Sequence, residues 1–259
     1  MVTTMAVSAA ALLVLMLATW ALSLPLRDVS IVDVAWGVGF VVVAWIAFAT
    51  GDGDSARRAL MAVLTTAWGL RLAGYITWRK LRERREDPRY AELRDRHGER
   101  FRLVSLGMIF LLQGGLVWVI SLPIQAASAQ SDPLGPLDVV GVAFWAIGVF
   151  FETVGDAQLA RFKADPAHRG RVMDRGLWRY TRHPNYFGDF MVWWGLYLIA
   201  LSTGAAWWTV VSPLVMSVLL LRVSGKDRLE RGMSSRPGYA EYVRRTSGFV
   251  PLPPRGSSR

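Results

Sequence analysis

The chain has 259 residues, 53% of them hydrophobic, with 12 tryptophans and a formal charge of +10, so long apolar runs rather than a soluble core dominate it. No cysteine is present, which excludes disulfides, haem-thiolate, iron–sulfur clusters and Cys-based zinc sites. The basic excess flanks the apolar runs instead of forming a separate soluble domain, which argues against a nucleic-acid binder.

Taken in chain order, the apolar runs predict seven membrane-spanning helices at about 5–24, 29–49, 59–78, 104–126, 137–158, 186–202 and 205–222, the last two being the shortest. The fold class expected is therefore all-α, a polytopic membrane helix bundle forming a single domain over 1–259, with a flexible C-terminal tail at 250–259. The first run has no Lys or Arg before its apolar core and further spans follow it, so it reads as a span rather than a signal peptide. Of 30 Lys and Arg, ten lie in 79–102, seven in 159–185 and nine in 222–259. Basic connections stay on the cytoplasmic side, which puts the N-terminus outside and the C-terminus inside. Arg57 and Arg58 conflict with this arrangement.

The second run carries Asp33 in Ser30-Ile31-Val32-Asp33-Val34-Ala35-Trp36-Gly37. An acid within an apolar span is a proton donor, the partner of a buried Arg, or a cap near the helix start. In the third run Arg71, Tyr75, Trp78 and Arg82 recur at three- and four-residue spacing and so share one helical face. Arg71 sits deep enough to suggest an anion site, while snorkelling suits Arg79 and Arg82. Beyond it the alternation Arg82-Glu83-Arg84-Arg85-Glu86 predicts a helix projecting from the span and laced with ion pairs.

In the fifth run Glu152, Asp156 and Lys163 fall on one face, and two acids together favour a cavity lining over lipid exposure. The stretch Gly176-Leu177-Trp178-Arg179-Tyr180-Thr181-Arg182-His183-Pro184-Asn185-Tyr186-Phe187-Gly188-Asp189 precedes the sixth run. Pro184 suits the first turn of a new helix, and that helix start beside Arg179 and Arg182 is friendly to phosphate. A plain helix cap with orienting arginines would read the same. The sequence holds no Gly-rich dinucleotide loop after a strand, no P-loop and no paired-His metal motif.

This last stretch resembles the signature of the steroid 5-alpha reductase superfamily, and more closely its bacterial membrane branch of unknown substrate. Asp33-Val34-Ala35-Trp36-Gly37, Glu86-Asp87-Pro88-Arg89-Tyr90, Ser224-Gly225 and Tyr239-Ala240-Glu241-Tyr242 leading to Pro251 extend the resemblance over most of the chain. It implies seven helices that bind NADPH from the cytosolic side and reduce a C=C bond conjugated to a carbonyl in a small lipophilic substrate. The implied cofactor residues are Arg71, Tyr75, Arg82, Glu152, Asp156, Lys163, Arg179, Tyr180, Arg182, His183, Asn185, Asp189 and Tyr242, with His183 and Pro184 open to a purely architectural role. Trp36 and Trp68 are expected against the substrate. Where steroid reductases carry a proton-donating tyrosine, this chain has Trp68, so Asp33 is the first candidate for the donor and Tyr186 the second. A membrane methyltransferase using S-adenosylmethionine is the alternative, since isoprenylcysteine and phospholipid methyltransferases share an Arg-His-Pro-x-Tyr helix start. The expected setting is a bacterial inner membrane, with membrane lipid as a partner.

Overall fold

The computed structural model describes residues 1–83, 86–223 and 226–255. Arg84 and Arg85 of the charged alternation, Ser224 and Gly225 of the resemblance and the last four residues of the tail lie outside that set. Among the described residues there are helices and a single isolated bridge, Thr181 to Ser247, and no named strand. The helices are α1 (Val2–Leu26), α2 (Val32–Thr50), α3 (Ser55–Glu83), α4 (Pro88–His97), α5 (Phe101–Ser105), α6 (Leu112–Ile120), α7 (Leu122–Ala127), α8 (Pro136–Ala164), α9 (Pro184–Leu201), α10 (Val211–Val218), α11 (Lys226–Met233) and α12 (Tyr239–Arg245).

Among the described residues, five stretches are long and apolar enough to cross a membrane: 2–26, 29–50, 55–83, 88–120 and 136–164. The protein is thus an all-α membrane protein. The sixth and seventh predicted spans are helices too, but α9 carries Asn185 and Asp189 in its 18 residues and Trp207–Val223 is shorter. The fourth span ends at Ile120, not at 126. Ser121 turns the chain and Pro123 starts α7, whose six residues are all buried. The charged stretch after the third span is split as well. Asp87 caps α4 by accepting the Arg89 N–H at 2.9 Å, with Pro88 at the first helical position.

Two compact units make up the chain: residues 1–135 with 200–212, and residues 136–199 with 213–259. In the first, α2 packs against α1 and α3. Gly37 and Gly69 bring α2 and α3 so close that a Cβ on either would stand 2.7 Å from the other's carbonyl oxygen. Arg57 and Arg58 are absorbed by the same unit. Arg57 is fully buried and donates to Ser202 Oγ at 2.5 Å and to the Pro133 carbonyl at 3.1 Å. Arg58 donates to the carbonyls of Phe48, Gly51 and Gly53 at 2.7, 2.9 and 3.0 Å, closing the C-terminal end of α2. Arg57 thus serves a hydroxyl and a loop carbonyl, and Arg58 the carbonyls around the end of α2, so both charges are held inside the unit, which accounts for their conflict with the basic-loop count.

In the second unit α8 and α9 meet along a seam of glycines. Gly141, Gly148 and Gly155 recur every seven residues on α8. A Cβ at Gly148 would lie 2.5 Å from the Gly188 carbonyl, and one at Gly141 would lie 2.7 Å from that of Gly195. Such small-residue contacts are how membrane helices approach backbone to backbone. The tail is tied as far as Arg255: Leu252 N–H donates to the Tyr180 carbonyl at 3.0 Å and Arg255 N–H to that of Arg245 at 2.9 Å.

Candidate functional site

Two polar clusters hold the residues singled out from the sequence, one in each unit. In the first unit Asp33 lies in the first turn of α2 and is not a solitary acid. Arg89 Nη2 donates to its Oδ2 at 3.2 Å, and the Tyr90 hydroxyl donates to its Oδ1 at 2.9 Å. Gln113 Nε2 donates in turn to the Tyr90 oxygen at 3.2 Å. Of the three roles open to Asp33, the geometry realises the partner of a half-buried arginine. Arg89 is itself fixed by two further bonds to Asp87, at 2.9 and 3.1 Å, and its guanidinium stands 5.2 Å from the Tyr90 ring centre.

A second layer braces this group. Lys80 Nζ reaches Asp28 Oδ2 at 2.6 Å and Ser30 Oγ at 2.5 Å, and Glu86 accepts from Arg94 at 2.7 Å and from the Val29 N–H at 2.9 Å. Partial burial pushes the Asp28 carboxyl up, but the hydrogen bonds from Lys80 and Ser30 outweigh it and leave it below the ordinary value. Asp87 follows the same balance, with Arg89 as the partner that outweighs burial.

Tyr90, Arg89 and Gln113 were not among the predicted site residues. Their signals were present: Arg89 and Tyr90 follow an Asp-Pro helix start, and Gln113 is an isolated amide in an apolar run. Sequence separations of 56, 57 and 23 residues concealed the contacts.

On α3 the predicted face is realised. The rings of Tyr75 and Trp78 stack at 5.8 Å and the Arg82 guanidinium lies 4.7 Å above Trp78, while Arg71 is half-buried one turn before Tyr75. Trp68 is fully buried, edge-on to Phe40 at 5.5 Å, and Phe40 is edge-on to Trp36 at 5.4 Å. Trp36 is the half-buried end of this ladder and keeps the surface a ligand could touch, whereas Trp68 has none left.

In the second unit Glu152 and Asp156 on α8 are 2% and 6% exposed, the shared inward face that the spacing predicts. Asn185, in the first turn of α9, donates through Nδ2 to Asp156 Oδ1 at 3.1 Å, and its own Oδ1 accepts the Tyr186 N–H at 3.1 Å. The glycine seam borders this pairing: a Cβ at Gly155 would lie 3.2 Å from Pro184 Cγ, and one at Gly188 would lie 2.7 Å from Glu152 Cγ. The His183 and Tyr186 rings stack at 5.5 Å, nearly parallel.

Other members of the predicted set hold the fold. Arg182 donates through Nε and Nη2 to Glu230 at 3.0 and 3.3 Å and through Nη1 to the carbonyls of Val243 and Thr246 at 3.1 and 2.9 Å. His183 Nε2 stands 3.0 Å from the same Glu230. The Tyr242 hydroxyl donates to the Trp178 carbonyl at 2.6 Å, and burial pushes its pKa far above the usual phenol range. Arg182 is thus engaged on every nitrogen inside the unit, and Tyr242 fastens the loop that carries Arg179 and Tyr180.

The residues of the second unit suit a phosphate-bearing nucleotide in part. A buried acid bonded to an amide offers the acceptors and donors that ribose hydroxyls and amides require. Arg179, Tyr180 and Lys163 are exposed, and Asp189 lies one turn beyond Asn185 on α9. Arg182 and Tyr242 do not fit the role, since both are consumed within the fold.

Residues 19–246 match the family described as "Protein of unknown function (DUF1295)". No curated protein and no solved structure matches the chain.

Proposed function

The chain belongs to that family of proteins of unknown function, DUF1295, and we propose that it is an NADPH-dependent membrane oxidoreductase that reduces a C=C bond conjugated to a carbonyl in a lipid-like substrate, steroid, isoprenoid or fatty. One observation carries the reading: a tyrosine hydroxyl held between a carboxylate and an amide donor, Asp33–Tyr90–Gln113, in helices apolar enough to span a membrane. The resemblance of the 176–189 stretch to steroid 5-alpha reductases supports it.

NADPH supplies the hydride when bound. The chain's own task is to hold the carbonyl oxygen on which negative charge develops and to deliver a proton. Tyr90 is suited to both. Its proton now points to Asp33 and can turn to a substrate oxygen, and the phenolate left behind keeps the hydrogen bond from Gln113 and the field of Arg89. Asp33, bonded to Arg89, then acts as the acceptor that orients the phenol rather than as the acid itself. Trp36, one turn from Asp33, offers the apolar surface for the substrate. Within the second unit, Asn185, Asp156 and Arg179 are the residues that would hold the cofactor. The cofactor side is assigned to the cytoplasm of a bacterial inner membrane, on the weight of Lys and Arg in 79–102 and 159–185.

The test is direct. Purified protein is expected to melt at a higher temperature with NADPH and not with S-adenosylmethionine, and Asn185→Ala should abolish the shift. A shift with S-adenosylmethionine alone supports the methyltransferase alternative and overturns the reductase.

A further inference from the structure

A basic hollow in the second unit belongs to neither cluster. It encloses about 260 Å3 just past the end of α8, with Lys163, Arg169, Arg171 and Arg236 in its wall. Asp165 is the carboxylate among the lining residues, and the turn already engages it. Its Oδ1 accepts the Ala167 N–H at 2.9 Å, and its Oδ2 stands 3.4 Å from His168 Nδ1. The wall is therefore strongly positive in net charge.

The hollow is built rather than incidental. Successive bonds from His168 N–H to Asp165, from Arg169 N–H to Pro166 and from Arg171 N–H to His168, at 3.1, 3.1 and 3.0 Å, fix the turn. Gly170, at φ 79°, supplies the left-handed residue that the reversal needs. The His168 ring stacks flat on Phe162 at 4.4 Å. Arg236 arrives from a segment more than sixty residues later, itself held by bonds to Met233 and Tyr239.

Its depth is set by α8. A helix of 29 residues is about 44 Å long at 1.5 Å per residue, close to the ~40–45 Å of a bilayer with its headgroup layers. Phe162 and Lys163 are at the last turn of that helix, so an α8 that spans the bilayer carries the hollow to the level of the headgroups. Guanidinium and ammonium groups converging at that depth recognise phosphate, and basic pockets beside membrane helices take anionic headgroups.

We propose that this hollow binds the phosphate of an anionic phospholipid headgroup. The inference does not rest on the reductase reading, and it gives Lys163 a ligand other than a dinucleotide.

The experiment uses full-length protein in neutral detergent, titrated with short-chain phosphatidylglycerol or phosphatidylcholine and read by native mass spectrometry. Phosphatidylglycerol is expected to bind and phosphatidylcholine not. Arg236→Gln, at an exposed position, should weaken binding about fivefold, and Arg169→Gln/Arg171→Gln/Arg236→Gln about a hundredfold. Arg96→Gln/Arg100→Gln/Arg102→Gln removes the same charge elsewhere and should leave binding unchanged. The proposal falls if Arg236→Gln has no effect, if the control triple weakens binding equally, or if inorganic phosphate or NADPH displaces the lipid at equal concentration, which would make the ligand a soluble phosphate.

Discussion

The two polar clusters bury ionisable groups in different ways. Around Glu230 the network is closed: every nitrogen of Arg182 ends on Glu230 or on a backbone carbonyl, and His183 ends on the same carboxylate. Around Tyr90 it is directional: Gln113 donates to the phenol, the phenol donates to Asp33, and Asp33 is balanced by Arg89. A closed network can only hold; a relay of donor, donor-acceptor and acceptor can release a proton and remain satisfied. The difference teaches that a histidine and an arginine in a family-like motif are weaker markers of chemistry than one phenol in a chain of hydrogen bonds.

The comparison is broken most severely at Glu230. Glu230→Ala leaves Arg182 and His183 buried without their counterion, and unfolding in detergent should show a loss of about 3 kcal/mol or more. Next, Tyr90→Phe should lower turnover with an accepted enone about a hundred- to a thousandfold while leaving KM and the NADPH-induced melting shift near the parent value. If turnover survives, the relay is not the donor. Gly148→Ala should cost about 1–3 kcal/mol, because its Cβ would meet the Gly188 carbonyl at 2.5 Å. The same variant should weaken NADPH binding by moving Asp156 from Asn185. The smallest effect is on the brace. The folded-state pKa of Asp28 lies below its unfolded value, so its contribution is complete above about pH 4 and is lost as pH falls through the folded value. The contribution is under about 1 kcal/mol for a pair this close to solvent. Unfolding at pH 7 and pH 3 should show it, and Asp28→Asn should remove it.

Much of the fold was legible. Apolar runs gave the helices, because spanning demands length and hydrophobicity that few other structures need. The start of α9 at Pro184 followed from proline's fit to a first turn, and the Tyr75–Trp78–Arg82 column from helical spacing. Glu152 and Asp156 on one buried face followed from the same rule. What stayed hidden was tertiary. Asp33 could not name Arg89 and Tyr90 as partners, because nothing local marks a contact across more than fifty residues. Arg57 and Arg58 counted as misplaced charges because Arg58's carbonyl partners gather only where α2 ends and Arg57's partners lie more than seventy residues away. The glycine seam was hidden differently: Gly141, Gly148 and Gly155 stood in plain view at heptad spacing, and their meaning emerged only with α9 against them.

The six residues Leu106–Leu111 are π-helical and lie between Tyr90 and Gln113. A π turn accommodates one residue more than an α turn, and each residue of an α-helix advances its phase by about 100°. The segment therefore works as a phase shifter: it sets the angle at which Gln113 leaves its helix. Winding the same residues as unbroken α-helix would swing Gln113 about 100° out of line with the Tyr90 oxygen, whereas deleting Gly107 along with the π turn would keep it in line. Alignment of the relay is a matter of counting as much as of composition: one residue gained or lost in the α-helical part before Gln113, with the π turn kept, would rotate the amide away without altering any member of the relay.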